Sequence, residues 1–257
     1  MDAMVVKPYR IRLPGINRRI AMHNPGGRRF IVSVLADKNT DTSSLSTSHD
    51  DESKNVIYQD SFYDRLAINH LSQSLQAATG RKSKKSGYDG LVEAATMASR
   101  RFSPIEQREV VIQTLLTAFP KPILSLIKII AAPSKFTREF FATFTTIFFA
   151  WLVGPCEVKE SEIDGRKEKN VVHIQKCRFL EESNCVGMCT NLCKMPSQMF
   201  IKDYLGIPIN MVPNFDDMSC ELIFGQEPPP QDMDPAFTQP CYKQCKEINK
   251  HKKICIN

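Results

Sequence analysis

"CEVKESEIDGRKEKNVVHIQKC", residues 156–177, alternates apolar and polar side chains on both sides of Asp164-Gly165. A period of two is the mark of half-buried strands, and an Asp-Gly pair between them suits the positive φ of a tight hairpin turn. A second alternating stretch, "IPINMVPNFDDMSCELIFGQ" at 207–226, predicts another hairpin that turns at Asp216-Asp217. Between the two, "PSQMFIKDYLG" at 196–206 has Pro196 near a helix start and Gly206 just past its end. The tail, 227–253, reads as proline-rich loop followed by a short basic helix. Residues 154–257 therefore form a Cys-rich α+β region with a small antiparallel sheet.

Upstream the period changes to that of helices. In "QDSFYDRLAINHLSQSLQAA" (59–78), Phe62, Leu66, Leu71 and Leu75 fall on roughly one face. "LVEAATMASRRF" (91–102) repeats Leu91, Ala94, Ala95, Ala98 and Phe102 at helical spacing. "SPIEQREVVIQTLLTAF" (103–119) opens with Ser103 as N-cap, Pro104 in the first turn and Glu106 at the capping-box position. Val111, Ile112, Leu115 and Phe119 form its expected buried stripe, and Pro120 and Pro122 are expected to close it. Residues 56–153 thus make a helical region, and the fold class is α+β, with helices packed on one face of the sheet.

One part of that region is apolar nearly all round. "SKFTREFFATFTTIFFAWLVGP" (134–155) holds six phenylalanines between 136 and 149 and the one tryptophan, Trp151, with no charged residue between Glu139 and Glu157. The continuous apolar run is shorter than the ~20 residues a spanning helix needs. It reads as a central core helix, as the wall of a large apolar pocket (Phe140, Phe144, Phe148, Trp151), or as a face that dips into a bilayer surface.

The net charge of +6 is carried by the first 36 residues, which have seven basic side chains against Asp2 alone; the rest balances at 27 basic and 27 acidic. Nothing is left over to neutralise a phosphate backbone, so a nucleic-acid partner is not expected. An arginine-rich, acid-poor start without a long apolar core reads as an organelle transit peptide, residues 1–36. Residues 37–55 are polar and Ser/Thr-rich, and read as disordered linker.

"CRFLEESNCVGMCTNLCKMP" (177–196) places Cys177, Cys185, Cys189 and Cys193 in one short stretch, while residues 1–155 contain no cysteine. Cys185, Cys189 and Cys193 would share one helix face, but each step climbs about 6 Å, so one straight helix does not offer all three to one centre. A turn at Gly187 would relieve this. Cys220, from the second hairpin, and Cys241 and Cys245, from the tail, are further candidates. Paired C-x-x-C knuckles are absent, and so are a phosphate-cradling glycine loop, a G-x-S-x-G elbow and an H-E-x-x-H motif. Spacing alone reads equally as metal ligands or as inert buried thiols. His173 alternates with Val172 and Ile174 on a strand and is expected to be solvent-facing or satisfied.

"FTTIFFAWLVGPCEV" (144–158), the block from Val171 to Pro229 and "DPAFTQPCYKQCK" (234–246) closely resemble the plastid β-carotene isomerase family that opens strigolactone biosynthesis. The resemblance spans about residues 56–246, one continuous catalytic domain. It implies an iron-containing chloroplast enzyme that interconverts all-trans- and 9-cis-β-carotene, with carotenoid as substrate and peripheral contact with the membrane that dissolves it. It leaves the ligand set, and iron ion against iron–sulfur cluster, open among Cys177, Cys185, Cys189, Cys193, Cys220, Cys241 and Cys245. The alternatives from other classes are a thylakoid-associated protein with structural zinc and a thiol-redox regulator.

Overall fold

The computed structural model describes residues 58–130, 134–163 and 165–240. The transit segment, the linker, Cys241, Cys245 and the basic tail helix lie outside the described residues. Residues 55–257 form a compact unit of their own.

Five helices lead: α1 (Phe62–Thr79), α2 (Gly87–Arg101), α3 (Pro104–Ala118), α4 (Lys121–Ile130) and α5 (Lys135–Phe148), followed by a single turn, α6 (Ala150–Val153). Their starts are chemical. Ser61 and Asp64 form a capping box on α1, and Ser103 and Glu106 form one on α3, each pair satisfying two backbone N–H groups that a helix start leaves open. Pro122 does not extend a terminator. It sits in the first turn of α4, where its missing N–H costs nothing, so a new helix begins between the two prolines and leaves α3 at 91°. No single described helix is long and apolar enough to cross a membrane.

The hairpins appear as read. β1 (Cys156–Ile163) pairs with β2 (Arg166–Ile174) around Gly165 at φ +73°, and β3 (Ile209–Pro213) pairs with β4 (Cys220–Phe224). β2 and β4 join them into one antiparallel sheet of order β1-β2-β4-β3. One face is the core face: Val172 lies opposite Leu222, and Leu222 opposite Met211, all three buried. The next row brings Ile174, Cys220 and Pro213 side by side. On the opposite face His173 lies across from Glu221, 3.5 Å from its carboxylate.

α5 covers one end of the core face. Phe141 meets Phe224 at 6.2 Å, and Arg138 grips the buried Glu168 with two 2.7 Å bonds. The paired guanidinium holds the Glu168 carboxyl below its ordinary range, against the opposing pull of burial. A carboxylate depressed in the folded state adds stability above its unfolded value, about pH 4.3, and that stability is lost as pH falls through the lower folded value. Glu168→Gln should therefore lower the Tm at pH 7 and flatten the acid limb of a Tm-against-pH curve. An unchanged acid limb would place the acid sensitivity elsewhere.

Three sequence expectations about buried faces change. In α1 the buried residues are Ile68, Ser72, Ser74, Leu75 and Thr79, while Phe62 and Leu66 are exposed. The inward face is set by contact with α2 and α3 and lies to one side of the apolar stripe. In α3 Gln107 and Thr114 are the buried positions, and Val111, Ile112, Leu115 and Phe119 are half-buried. And α5 is not buried all round: Thr137, Phe141, Ala142 and Thr145 pack inward, whereas Phe136 (77%), Phe140 (51%) and Phe148 (56%) stay accessible.

Candidate functional site

After β2 the chain forms α7 (Arg178–Ser183), whose N-cap is Cys177. Asn184 then takes the left-handed conformation (φ +46°) and Cys185 an extended one, so the turn expected at Gly187 occurs three residues earlier, at Asn184. From Val186 the backbone is helical without interruption to Leu205: α8 (Val186–Met188), a π-turn (Cys189–Lys194), α9 (Met195–Phe200) and a second π-turn (Ile201–Leu205). Gly187 lies inside α8. Pro196, expected near the start of this helix, is about halfway along it. Single π-turns in helices occur often at functional sites.

The first π-turn carries Cys189, Cys193 and Lys194, and it faces Cys177 from α7 and Cys220 from β4. All four thiols line one small enclosed cavity of about 10 Å³, roughly one water-sized sphere. The rest of the wall is Val153, Ile174, Leu180, Met211, Pro213 and Lys194, so apart from the lysine it is apolar. The sheet places Cys220 between Ile174 and Pro213, and Gly154 lets the chain pass behind Cys177. A β-carbon on Gly154, at φ +96°, would stand 2.8 Å from the Lys176 carbonyl oxygen. Cys185 is buried but does not line the cavity.

Burial pushes all four thiols above the usual cysteine range. Cys193 rises to about 12, with the charge of Cys177 adding to its desolvation. Cys189 and Cys220 are likewise raised well above the ordinary range, first by burial and then by the neighbouring sulfurs, while the Lys194 ammonium opposes the rise at both. At Cys177 burial is opposed by the N–H groups of Leu180 and Phe179 at the start of α7. The mutual influence of Cys177, Cys189, Cys193 and Cys220 puts them within reach of each other's charge. Among the described residues no three Cys, His, Asp or Glu side chains are already arranged to hold an ion. The donor chemistry nevertheless fits a thiophilic metal: four sulfurs at an apolar wall, three of them buried and Cys193 half-buried, each costly to ionise until a cation is present.

Two further groups hold the site, and neither was flagged by the sequence. Lys194, 2% exposed, donates to the Met211 carbonyl and forms a 2.7 Å ion pair with the equally buried Asp234. Asp234 also accepts the Ala236 N–H, so the pair ties the loop after β4 to the cavity wall. Arg178, beside Cys177, lies between the rings of Tyr58 (4.5 Å) and Tyr88 (3.8 Å), clasps Asp60 and donates to the Trp151 carbonyl. Cys177 is therefore fixed from α2, α6 and the chain before α1 at once. The available signal for either residue was a lone basic side chain beside a cysteine, which by itself has no period or motif.

The aromatic residues form a ladder rather than a closed pocket. Phe136, Phe140, Phe144 and Phe148 follow one another along the outer side of α5 at 6.4, 5.9 and 4.5 Å between ring centres. Phe149 continues to Trp151 at 6.4 Å, two residues before Val153 in the thiol cavity wall.

A family model described as "Beta-carotene isomerase D27-like, C-terminal" matches residues 151–233. A protein named "Beta-carotene isomerase D27, chloroplastic" from Medicago truncatula is 61% identical over 228 residues, 89% of this chain and 88% of its own length. One of the same name from Arabidopsis thaliana is 55% identical over 234 residues, 90% of this chain and 88% of its own. No solved structure matches.

Proposed function

The chain belongs to the D27-like β-carotene isomerase family, and on that premise we propose that it is a chloroplast carotenoid isomerase that interconverts all-trans- and 9-cis-β-carotene, the step that opens strigolactone biosynthesis. We further assign iron, as an ion or a cluster, to Cys177, Cys189, Cys193 and Cys220. The observation that carries this assignment is the meeting of four sulfurs from α7, the π-turn and β4 at one apolar cavity. Cys241 and Cys245 remain second choices in the tail.

Turning a double bond in a polyene requires its bond order to fall in the transition state. Thiolate-held iron supplies one-electron exchange when bound, with a potential set by burial and by hydrogen bonds to sulfur. The chain's own residues do the rest. Val153, Ile174, Leu180 and Met211 keep water from the sulfurs, and Lys194 holds a positive charge beside them. A carotene has no heteroatom to recognise, so it is held by apolar contact and shape alone. The cavity is far too small to enclose it. Phe140, Phe144, Phe148 and Trp151 instead offer an open track along which a polyene can lie and reach the cavity wall at Val153. The substrate is taken from a membrane.

Residues 55–257, purified without oxygen, should carry iron and convert each β-carotene isomer toward the same equilibrium mixture in detergent. Colourless protein with stoichiometric zinc would favour the structural-metal reading. Metal-free protein with reversibly oxidised cysteine pairs would favour the redox regulator.

A further inference from the structure

α4 has two apolar sides, and the fold uses one. Leu124 packs inward, while Ile123 (51%), Leu126 (56%) and Ile129 (79%), three residues apart, form an accessible stripe along the helix. Three large aliphatic side chains in a row on a ten-residue helix are more than the scattered exposed hydrophobics of an ordinary surface.

The stretch of chain that contains this stripe carries charges of one sign. From residue 110 to residue 138 the chain contains no acid, and its charged residues are Lys121, Lys128, Lys135 and Arg138. Arg138 is committed to Glu168, and Lys135 lies 3.8 Å from Glu139. Lys121 and Lys128 are one heptad apart on α4. They line an open groove of about 420 Å³ with Leu116, Leu124, Ser125, Asp203 and Tyr204. Among the described residues no ion pair engages either lysine; Lys128 donates to the backbone carbonyl of Asp203, 2.7 Å away. The helix thus has apolar side chains along one side and ammonium groups at the groove on another, the arrangement of a helix that lies in a membrane interface. In the sequence it immediately precedes the helix that carries the aromatic track.

We propose that α4 docks the enzyme on a negatively charged lipid bilayer, with Ile123, Leu126 and Ile129 entering the acyl boundary and Lys121 and Lys128 meeting anionic headgroups. This deepens the functional reading above and rests on it for the source of the substrate: a polyene dissolved in the bilayer is met by an enzyme already docked on that bilayer. No covalent step is involved.

The test is co-sedimentation of residues 55–257, which omits the basic leader, with vesicles of phosphatidylcholine alone or with one-third phosphatidylglycerol. Binding should require the anionic lipid and weaken as salt is raised. Each lysine contributes about fivefold to binding, so Lys121→Glu with Lys128→Glu should lower the bound fraction at least tenfold. Ile123→Asp with Ile129→Asp should do the same, and Ile129→Asp alone, at the most exposed position, should lower it severalfold with an unchanged Tm. Isomerase activity on detergent-dispersed carotene should be unchanged in all three variants. Failure of the parent to bind, or undiminished binding by the variants, overturns the proposal. So does a parent dimer that the isoleucine variants dissociate in the absence of vesicle binding, which would make a second copy the occupant of this face. Vesicle binding as described by a protein inactive on dispersed carotene would leave the docking surface standing and remove the isomerase reading.

Discussion

Replacing Cys189 or Cys193 by serine should remove bound iron and reduce carotene isomerisation at least 100-fold. The expectation comes from the wall of the cavity. Both thiols sit on the one π-turn and face Cys177 and Cys220, so each is one of four donors, and neither has a spare beside it among the described residues. Serine keeps the volume but offers a hard oxygen of much higher pKa, a poor ligand where thiolate is needed. Far-UV circular dichroism should be close to that of the parent, because the helix from 186 to 205 is held by its backbone and by contacts such as those from Arg108 to Asn191 and from Gln198 to the Met211 N–H. Full activity in an iron-free Cys189→Ser protein would refute the one-electron route.

The second large effect falls on stability. Lys194→Met leaves the Asp234 carboxylate buried without its cation, and a pair broken from one side costs about 3–5 kcal/mol. For a unit of this size that is a fall in Tm of about 10 °C. Changing both partners to apolar residues should recover much of the loss, because an emptied pair leaves no uncompensated charge. The single variant has a chemical signature as well. Without the ammonium the Cys189 and Cys220 thiols lose the group that opposes their rise, so their pKa moves further up. Metal uptake, which releases protons from thiols, should then need a higher pH than in the parent. Thermal melts of the single and double variants, with iron loading followed across pH, separate the two contributions. A Lys194→Met protein with the parent Tm would remove the buried pair from the account.

How far the sequence reached depended on whether a signal was local. The hairpins were legible because the period of two and the Asp164-Gly165 turn lie within one short window, and α3 because Ser103 and Glu106 fix its start between them. α4 was missed as a separate helix because Pro122 ends one helix and begins another with equal chemical sense. The inward face of α1 was misjudged because the choice between Leu66 and Ile68 is made by α2 and α3, far along the chain. The thiol site was legible as a set of candidates and no further. A straight helix does not bring Cys185 and Cys193 to one centre, but the π-turn, whose wider i→i+5 bonding leaves no mark in the sequence, decides which face Cys189 and Cys193 share. Lys194 and Arg178 depend on partners 40 and 118 residues away, so no window contains the pair. The phenylalanines of α5 stated that the helix is apolar all round, and only the assembled fold determines which rings the sheet leaves outside.

The sulfur set itself can be tested by one comparison. Iron per protein, measured on anaerobically prepared Cys185→Ser and Cys193→Ser, separates two cysteines eight residues apart in the same short stretch. Iron retained at the parent level in Cys185→Ser and lost in Cys193→Ser is the expected result, since Cys193 lines the cavity and Cys185 does not. Equal loss in both, or parent-level iron in Cys193→Ser, would contradict a metal centre built on Cys177, Cys189, Cys193 and Cys220.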